Sequence, residues 1–163
     1  MKILIIGCVA SGKSTLANRL SDKLSISYYE IDSIVHDDIN KKKRNFHEQK
    51  DIIDKINEDK NWIIEGMLRK NYYLFDYADK IVYLNISNKT IKHRILKRYL
   101  KQKFKIEKSN YKPSIEMLKM MYKWSDEFEK DKIELDKKLE RYKNKLIVLK
   151  NNYDINEFIN NME

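Results

Sequence analysis

Apolar residues in this chain come in short blocks separated by longer amphipathic stretches. Ile3-Leu4-Ile5-Ile6 is an unbroken apolar run and reads as a buried strand over 2–6. Leu16, Leu20 and Leu24 recur at helical spacing and predict a helix over 13–24. Residues 27–32 read as a second short strand ending in an acid, Asp32, and Lys41 to Arg44 as a basic loop. Ile52, Ile53 and Ile56 give Phe46 to Asn57 an apolar helical face. Trp62-Ile63-Ile64 is a third strand running into Glu65-Gly66, Tyr72 to Tyr77 a turn or short helix, and Ile81 to Ile86 a fourth strand. A helix is expected from Thr90 to about Lys103, another from Pro113 to about Lys130, and a charged helical stretch over 131–144. Leu146 to Leu149 is a fifth strand and Asp154 to Asn160 a last helix. Strands alternating with helices imply right-handed crossovers and a parallel sheet covered on both faces. No internal repeat or linker interrupts the pattern, so a single domain over 1–163 is expected.

Composition narrows the class. The length of 163 residues suits one domain with a sizeable core, and 42% apolar content is globular rather than disordered. No apolar run approaches the ~20 residues of a membrane span, so no membrane contact is expected. The chain opens directly on a strand rather than a secretion signal and has one cysteine, Cys8, which rules out an internal disulfide framework. A cytoplasmic location follows as an expectation. The net charge of +9 is local: residues 89–112 hold ten Lys or Arg against a single acid, Glu107. Such a window attracts polyanions, either nucleotide phosphates or a nucleic-acid backbone.

The chemistry is concentrated in Gly7-Cys8-Val9-Ala10-Ser11-Gly12-Lys13-Ser14, which reads G-x-x-x-x-G-K-[ST] between a strand and a helix. The glycines let successive backbone N–H groups turn toward phosphate oxygens, and the helix start adds its positive dipole end. Gly7, Ala10, Ser11, Gly12, Lys13, Ser14 and Thr15 are therefore the expected nucleotide contacts. Lys13 would reach the β- and γ-phosphates, and the Ser14 hydroxyl would hold Mg²⁺. ATP and Mg²⁺ are the expected cofactors.

Trp62 to Gly66, followed by Met67, Leu68 and Arg69, resembles the signature of adenylate kinase and its nucleoside monophosphate kinase relatives: hydrophobic strand, acid, glycine, two residues, arginine. The resemblance implies that Glu65 belongs to the Mg²⁺ shell, that Gly66 lets substrate approach the backbone, and that Arg69 grips an acceptor phosphate. Glu65 stands where those enzymes carry Asp, and Met67-Leu68 where they carry an aromatic residue and a proline. Arg94 and Arg98, four apart on one helix face after a strand, match the arginines that flank the nucleotide in that family. No arginine lies between 99 and 140, where adenylate kinases place further lid arginines. End to end the chain is most similar to the bacterial topology modulation (FlaR-like) proteins. The similarity takes in the N-terminal strand and loop, Ile31-Asp32, Trp62 to Gly66, the arginine helix, Lys123-Trp124, and Leu146 to Lys150.

The resemblance implies an α/β phosphate-loop three-layer sandwich with a five-stranded parallel sheet, helices on both faces and a short helical lid. The acceptor would lie in the region 32–61, and the basic segment 99–113 would be the lid. The function expected is an ATP- and Mg²⁺-dependent phosphotransferase acting on a small acceptor such as a nucleotide or nucleoside. Lys13, Arg94, Arg98 and Asp32 would be catalytic, Asp32 either taking the proton of an acceptor hydroxyl or binding through Mg²⁺. Asp32, Arg44, Gly66 and Arg69 would bind the acceptor; Ser14 and Glu65 would serve the metal. The alternatives are a nucleotide-dependent DNA-binding protein that affects DNA topology, with the basic window as its DNA surface, or an ATP-binding protein with weak catalysis.

Overall fold

The structure is a computed structural model and describes residues 1–37, 41–66, 72–106 and 113–162. Five parallel strands form its centre: β1 (Lys2–Gly7), β2 (Tyr28–Glu30), β5 (Trp62–Glu65), β6 (Lys80–Leu84) and β7 (Leu146–Leu149). Their order is β2-β5-β1-β6-β7, so β1 is the middle strand. Ile5 sits opposite Glu65 on one side and Val82 on the other, which brings the carboxyl ends of β1 and β5 level. The α/β parallel architecture expected from the alternating pattern is the one observed. Both faces of β1 are covered, which is why its sequence is continuously apolar rather than alternating. Ile3 and Ile5 face one half of the core, packed with Leu16 and Leu20 of α1 (Lys13–Leu24) and Ile91 and Ile95 of α5 (Asn88–Lys103). Leu4 and Ile6 face the other half, with Ile31, Ile53 and Phe75.

Several helices begin where local chemistry dictates. Gly12 takes the left-handed conformation (φ 104°) just before α1. Asn45 opens α3 (Phe46–Asn57) with a reciprocal capping box, its side chain accepting from the Glu48 N–H while Glu48 accepts from the Asn45 N–H. Ser114, directly after Pro113, caps α6 (Ile115–Leu139) by accepting from the Met117 N–H at 3.1 Å.

Three features depart from the sequence expectation. The second strand stops at Glu30, and α2 (Ile31–Val35) follows at once, so Asp32 stands in the first turn of a helix rather than at a strand end. Ile31, Ile34 and Val35 all bury against the core, and their i, i+3, i+4 spacing holds the turn helical. The basic loop contains a small antiparallel ribbon, β3 (His36–Asp37) with β4 (Lys42–Lys43). The two helical stretches expected on either side of residue 130 are one helix of 25 residues. No breaker lies between them, and pairs such as Glu134 with Lys138 (2.5 Å) and Glu129 with Lys132 (3.7 Å) run along its surface. The remaining helices are α4 (Leu74–Tyr77) and α7 (Asn152–Asn161).

Candidate functional site

The carboxyl ends of β1, β2 and β5 converge at one edge of the sheet, where parallel α/β folds leave a crevice. The loop from Gly7 to Ser14 lies in it. Its backbone curls because Ala10 (φ 57°) and Gly12 (φ 104°) are both left-handed. The Cys8 carbonyl holds the curl closed, accepting from the Ser11 N–H at 3.2 Å and the Lys13 ammonium at 3.0 Å. Ser11 is fully buried, and its Oγ has no hydrogen-bond partner among the described residues. A Cβ at Gly7 would sit 2.9 Å from that oxygen and 3.0 Å from Leu84, so only glycine fits there. Burial pushes the Cys8 thiol pKa up; this cysteine packs in the core.

Two cavities open on either side of the loop and share Ala10, Lys13, Ser14 and Arg98 as lining. The smaller, about 650 Å³, runs between α1, α5 and α7 and is lined by Thr15, Arg19, Arg94, Lys97, Asn152 and Asn156 among others. Arg94 is bound tightly: it donates to the Ser11 carbonyl and to Asn152 Oδ1, each at 2.8 Å. Arg19 donates to Asn156 Oδ1 at 2.9 Å. The larger cavity, about 820 Å³, lies beyond the loop toward β5, α2 and α6; Asp32, Glu65 and Gly66 line it. Both volumes are those of small-molecule sites.

At the junction, Ser14 Oγ donates to Glu65 Oε1 at 2.6 Å. Glu65 is buried, and burial raises its carboxyl pKa against the opposing pull of the Lys13 ammonium and the Ser14 hydrogen bond. A hydroxyl and a carboxylate in contact beside a phosphate loop are hard oxygen donors suited to Mg²⁺. Together with the unpartnered Ser11 Oγ and the glycine-only cradle at Gly7, these residues fit a magnesium nucleotide.

Lys13, Ser14, Glu65, Gly66, Asp32, Arg94 and Arg98 thus gather around two adjoining spaces. Arg44 stands apart. Its Nη1 donates to the carbonyls of Ser33 (2.9 Å), Ile34 (3.1 Å) and His36 (3.1 Å), and its Nη2 pairs with Asp37 at 3.4 Å. It ties off the end of α2 and lines neither cavity. Arg69 lies outside the described residues, as does 107–112 of the basic segment. Sequence reasoning passed over Asn152 and Asn156, and the face of α6 with Glu127, Phe128 and Asp131. The i, i+4 repeat of Asn on the last helix was the available signal for the first pair.

The matching family model is an AAA domain, AAA_18, over residues 3–112, from the first strand through the basic segment. The chain belongs to the AAA domain family. No curated protein sequence matches this AAA domain protein. Among solved structures it is similar to shikimate kinase from Aquifex aeolicus (17% identity over 98% of this chain and 92% of that one, TM-score 0.53). A gluconokinase from Sinorhizobium meliloti aligns at 14% identity over 98% and 87%, TM-score 0.52. The deoxyadenosine kinase from M. mycoides with bound dATP aligns at 20% over 98% of each chain, also at 0.52. At these identities the likeness is one of fold. Among the described residues, no helix is long and apolar enough to cross a membrane.

Proposed function

We propose that this AAA domain protein is a Mg²⁺-dependent phosphotransferase that moves the γ-phosphoryl group of ATP to a hydroxyl of a small acceptor. The observation that carries this reading is the pair of cavities meeting over one phosphate loop, with Lys13, Ser14 and Arg98 at their junction. A hydrolase needs one substrate space and a water; a transferase needs two spaces facing one phosphoryl group. Three fold relatives bear kinase names, and one holds dATP, which agrees with a triphosphate donor.

In this reading the smaller cavity takes the base and ribose, and the amides of Gly7 to Thr15 cradle the phosphates. Lys13 gives up its contact with the Cys8 carbonyl to reach the β- and γ-oxygens. Ser14 and Glu65 would hold Mg²⁺, which supplies neutralising charge to the phosphates when bound. Arg98 faces both cavities and offsets charge on the transferring group. Arg94 sets the loop's position through Ser11 and would border the nucleotide. Asp32 accepts the acceptor's hydroxyl proton, the oxygen attacks the γ-phosphorus, and the bond to the β–γ bridging oxygen breaks, releasing ADP. Gly66 and Arg69 would border the acceptor, and Arg44 supports that wall by fixing the end of α2. The segment 99–113 would close over the site as a lid.

The test is ADP release from Mg²⁺-ATP against nucleosides, nucleoside monophosphates and small hydroxyl compounds. Acceptor-stimulated release that disappears in Lys13→Ala is expected. ATP binding without stimulation by any acceptor would remove the transferase assignment. A second reading, nucleotide-dependent nucleic-acid binding, is favoured by one observation: Lys97, Lys103 and Lys105 are exposed along and just beyond α5.

A further inference from the structure

The phosphate loop is held from behind as well as along its rim. Cys8, whose carbonyl closes the curl, buries its side chain in the core that includes Ile91 and Ile95 of α5 and Met121 of α6. There its thiol is hydrogen-bonded to Ser125 of α6, the helix that forms one wall of the larger cavity. Ser125 is itself only 2% exposed, and its hydroxyl donates to Asn88 Oδ1 at 2.7 Å. The Asn88 amide is bonded in turn to Asp126, whose carboxylate pairs with Lys92 at 2.7 Å. Burial keeps the Cys8 thiol protonated, so its S–H donates to Ser125 Oγ. Ser125 commits its proton to Asn88, which leaves the Asn88 NH₂ to donate to Asp126. Every donor in the series points the same way, and the series ends on a charged pair, so each bond polarises the next.

The series also closes on itself. Asn88 and Arg94 both belong to α5. From Asn88 the connection runs through Ser125 to the Cys8 side chain. It continues from the Cys8 carbonyl to the Ser11 N–H at 3.2 Å, and from the Ser11 carbonyl to Arg94 at 2.8 Å. The loop is thus fastened to one helix at Cys8 from inside and at Ser11 from the rim. The Lys13 ammonium rests on the Cys8 carbonyl at 3.0 Å, so the same fastening sets where that lysine starts. Ser125 and Asn88 line neither cavity.

We propose that Ser125 and Asn88 are positioning residues for the phosphate loop: acting through Cys8, they hold it in the curl that receives the triphosphate. Nucleotide affinity then depends on two side chains that touch no nucleotide. Without the Ser125 hydroxyl, the Cys8 thiol and the Asn88 carbonyl both lose that partner, and the loop samples open forms. A ligand that needs the closed form then binds more weakly, in proportion to the closed fraction. The inference rests on the transferase reading only in taking the loop's ligand to be a nucleoside triphosphate.

Cys8 is the only cysteine, so it reports on its own loop. The full chain is alkylated with iodoacetamide below its melting transition, with the rate read by mass. A non-hydrolysable ATP analogue with Mg²⁺ is titrated separately by calorimetry. Ser125→Ala and Asn88→Ala should each speed alkylation about tenfold and weaken binding of the analogue about fivefold. Asn88 is only half-buried, so its variant carries the test should Ser125→Ala not fold. The double variant should do no more than the stronger single one, because both changes break one series. Tyr122→Phe is the control: it removes a different bond between α6 and α5, from the Tyr122 hydroxyl to the Lys92 carbonyl at 3.3 Å. It should lower the melting temperature and leave both readouts at parent values. Parent-like alkylation and affinity in Ser125→Ala and Asn88→Ala overturn the proposal. Additive effects in the double variant, or an equal response in Tyr122→Phe, also overturn it and reduce the contact to ordinary packing. The transferase reading fails differently: the analogue does not bind the parent, and the alkylation rates alone then decide whether Ser125 and Asn88 hold the loop.

Discussion

Replacing Gly66 by alanine tests whether the backbone at the end of β5 sets the acceptor side of the site. Gly66 has φ +120°, and a Cβ there would meet Ile31 Cβ at 2.8 Å and Ile31 Cγ1 at 3.1 Å. Two costs add. Holding an L-residue in that backbone region costs about 1–3 kcal/mol. Forcing a methyl group into the packed Ile31 side chain, itself 1% exposed, costs about another 1–3 kcal/mol. The sum centres on about 4 kcal/mol, and a chain of this length loses roughly 2–4 °C of melting temperature per kcal/mol. A fall of about 8–16 °C is expected by thermal denaturation. Gly12→Ala is the control. Gly12 also has positive φ (+104°), but nothing lies within 4 Å of its Cβ position. It should show only the backbone cost, about 1–3 kcal/mol. Since Ile31 is the first residue of α2 and Asp32 the second, Gly66→Ala should also raise the KM for the acceptor. Melting temperatures within about 2 °C of each other for the two variants, on the same scale, would refute the packing argument.

Four further outcomes follow from the geometry. Lys13→Ala should abolish turnover yet change stability by less than about 1 kcal/mol in urea, because among the described residues its ammonium makes one hydrogen bond, to the Cys8 carbonyl. Glu65→Gln should stabilise the metal-free protein at neutral pH while removing Mg²⁺-dependent activity. Burial raises the folded-state pKa of Glu65 above its ordinary 4.5, so the folded state loses stability as pH climbs through that raised value. The melting-temperature gap between variant and parent should accordingly widen from pH 4 to pH 8, and a flat gap would refute the assignment. Arg44→Met should cost about 2 kcal/mol in urea denaturation by stranding three carbonyls, with donor binding unchanged. Reversing Lys101, Lys103 and Lys105 to Glu should abolish any salt-dependent DNA binding; no DNA binding at low salt in the parent would dismiss the nucleic-acid reading.

Much of this fold is written locally. α1 and α3 span the residues that apolar spacing predicted, because their starts are fixed by adjacent residues: left-handed Gly12 for one, the Asn45–Glu48 box for the other. The phosphate loop is legible for the same reason, as its cradle is built from its own neighbours. Interactions between distant segments were not legible. Arg94 could be placed on a helix face by spacing, but its partners Ser11 and Asn152 are 83 and 58 residues away. For Arg44, expected to bind an acceptor, the partners lay out of sight: the Ser33 and Ile34 carbonyls belong to α2, a helix the strand-like pattern of 27–32 concealed, and the His36 carbonyl follows it. The α6 wall escaped notice because its acids alternate with lysines, the pattern of an ordinary solvated helix.

The order of the strands bears on how the protein is made. The phosphate loop is complete within the first fifteen residues, yet β1 is the middle strand, and its neighbours β5 and β6 emerge from the ribosome much later. The last strap on the loop is Arg94 to Asn152, in the final helix. Until β5 and β6 have been added, the phosphate loop lacks the strands that flank β1. Nucleotide binding is expected to reach full strength only once α7 has emerged and Asn152 can meet Arg94.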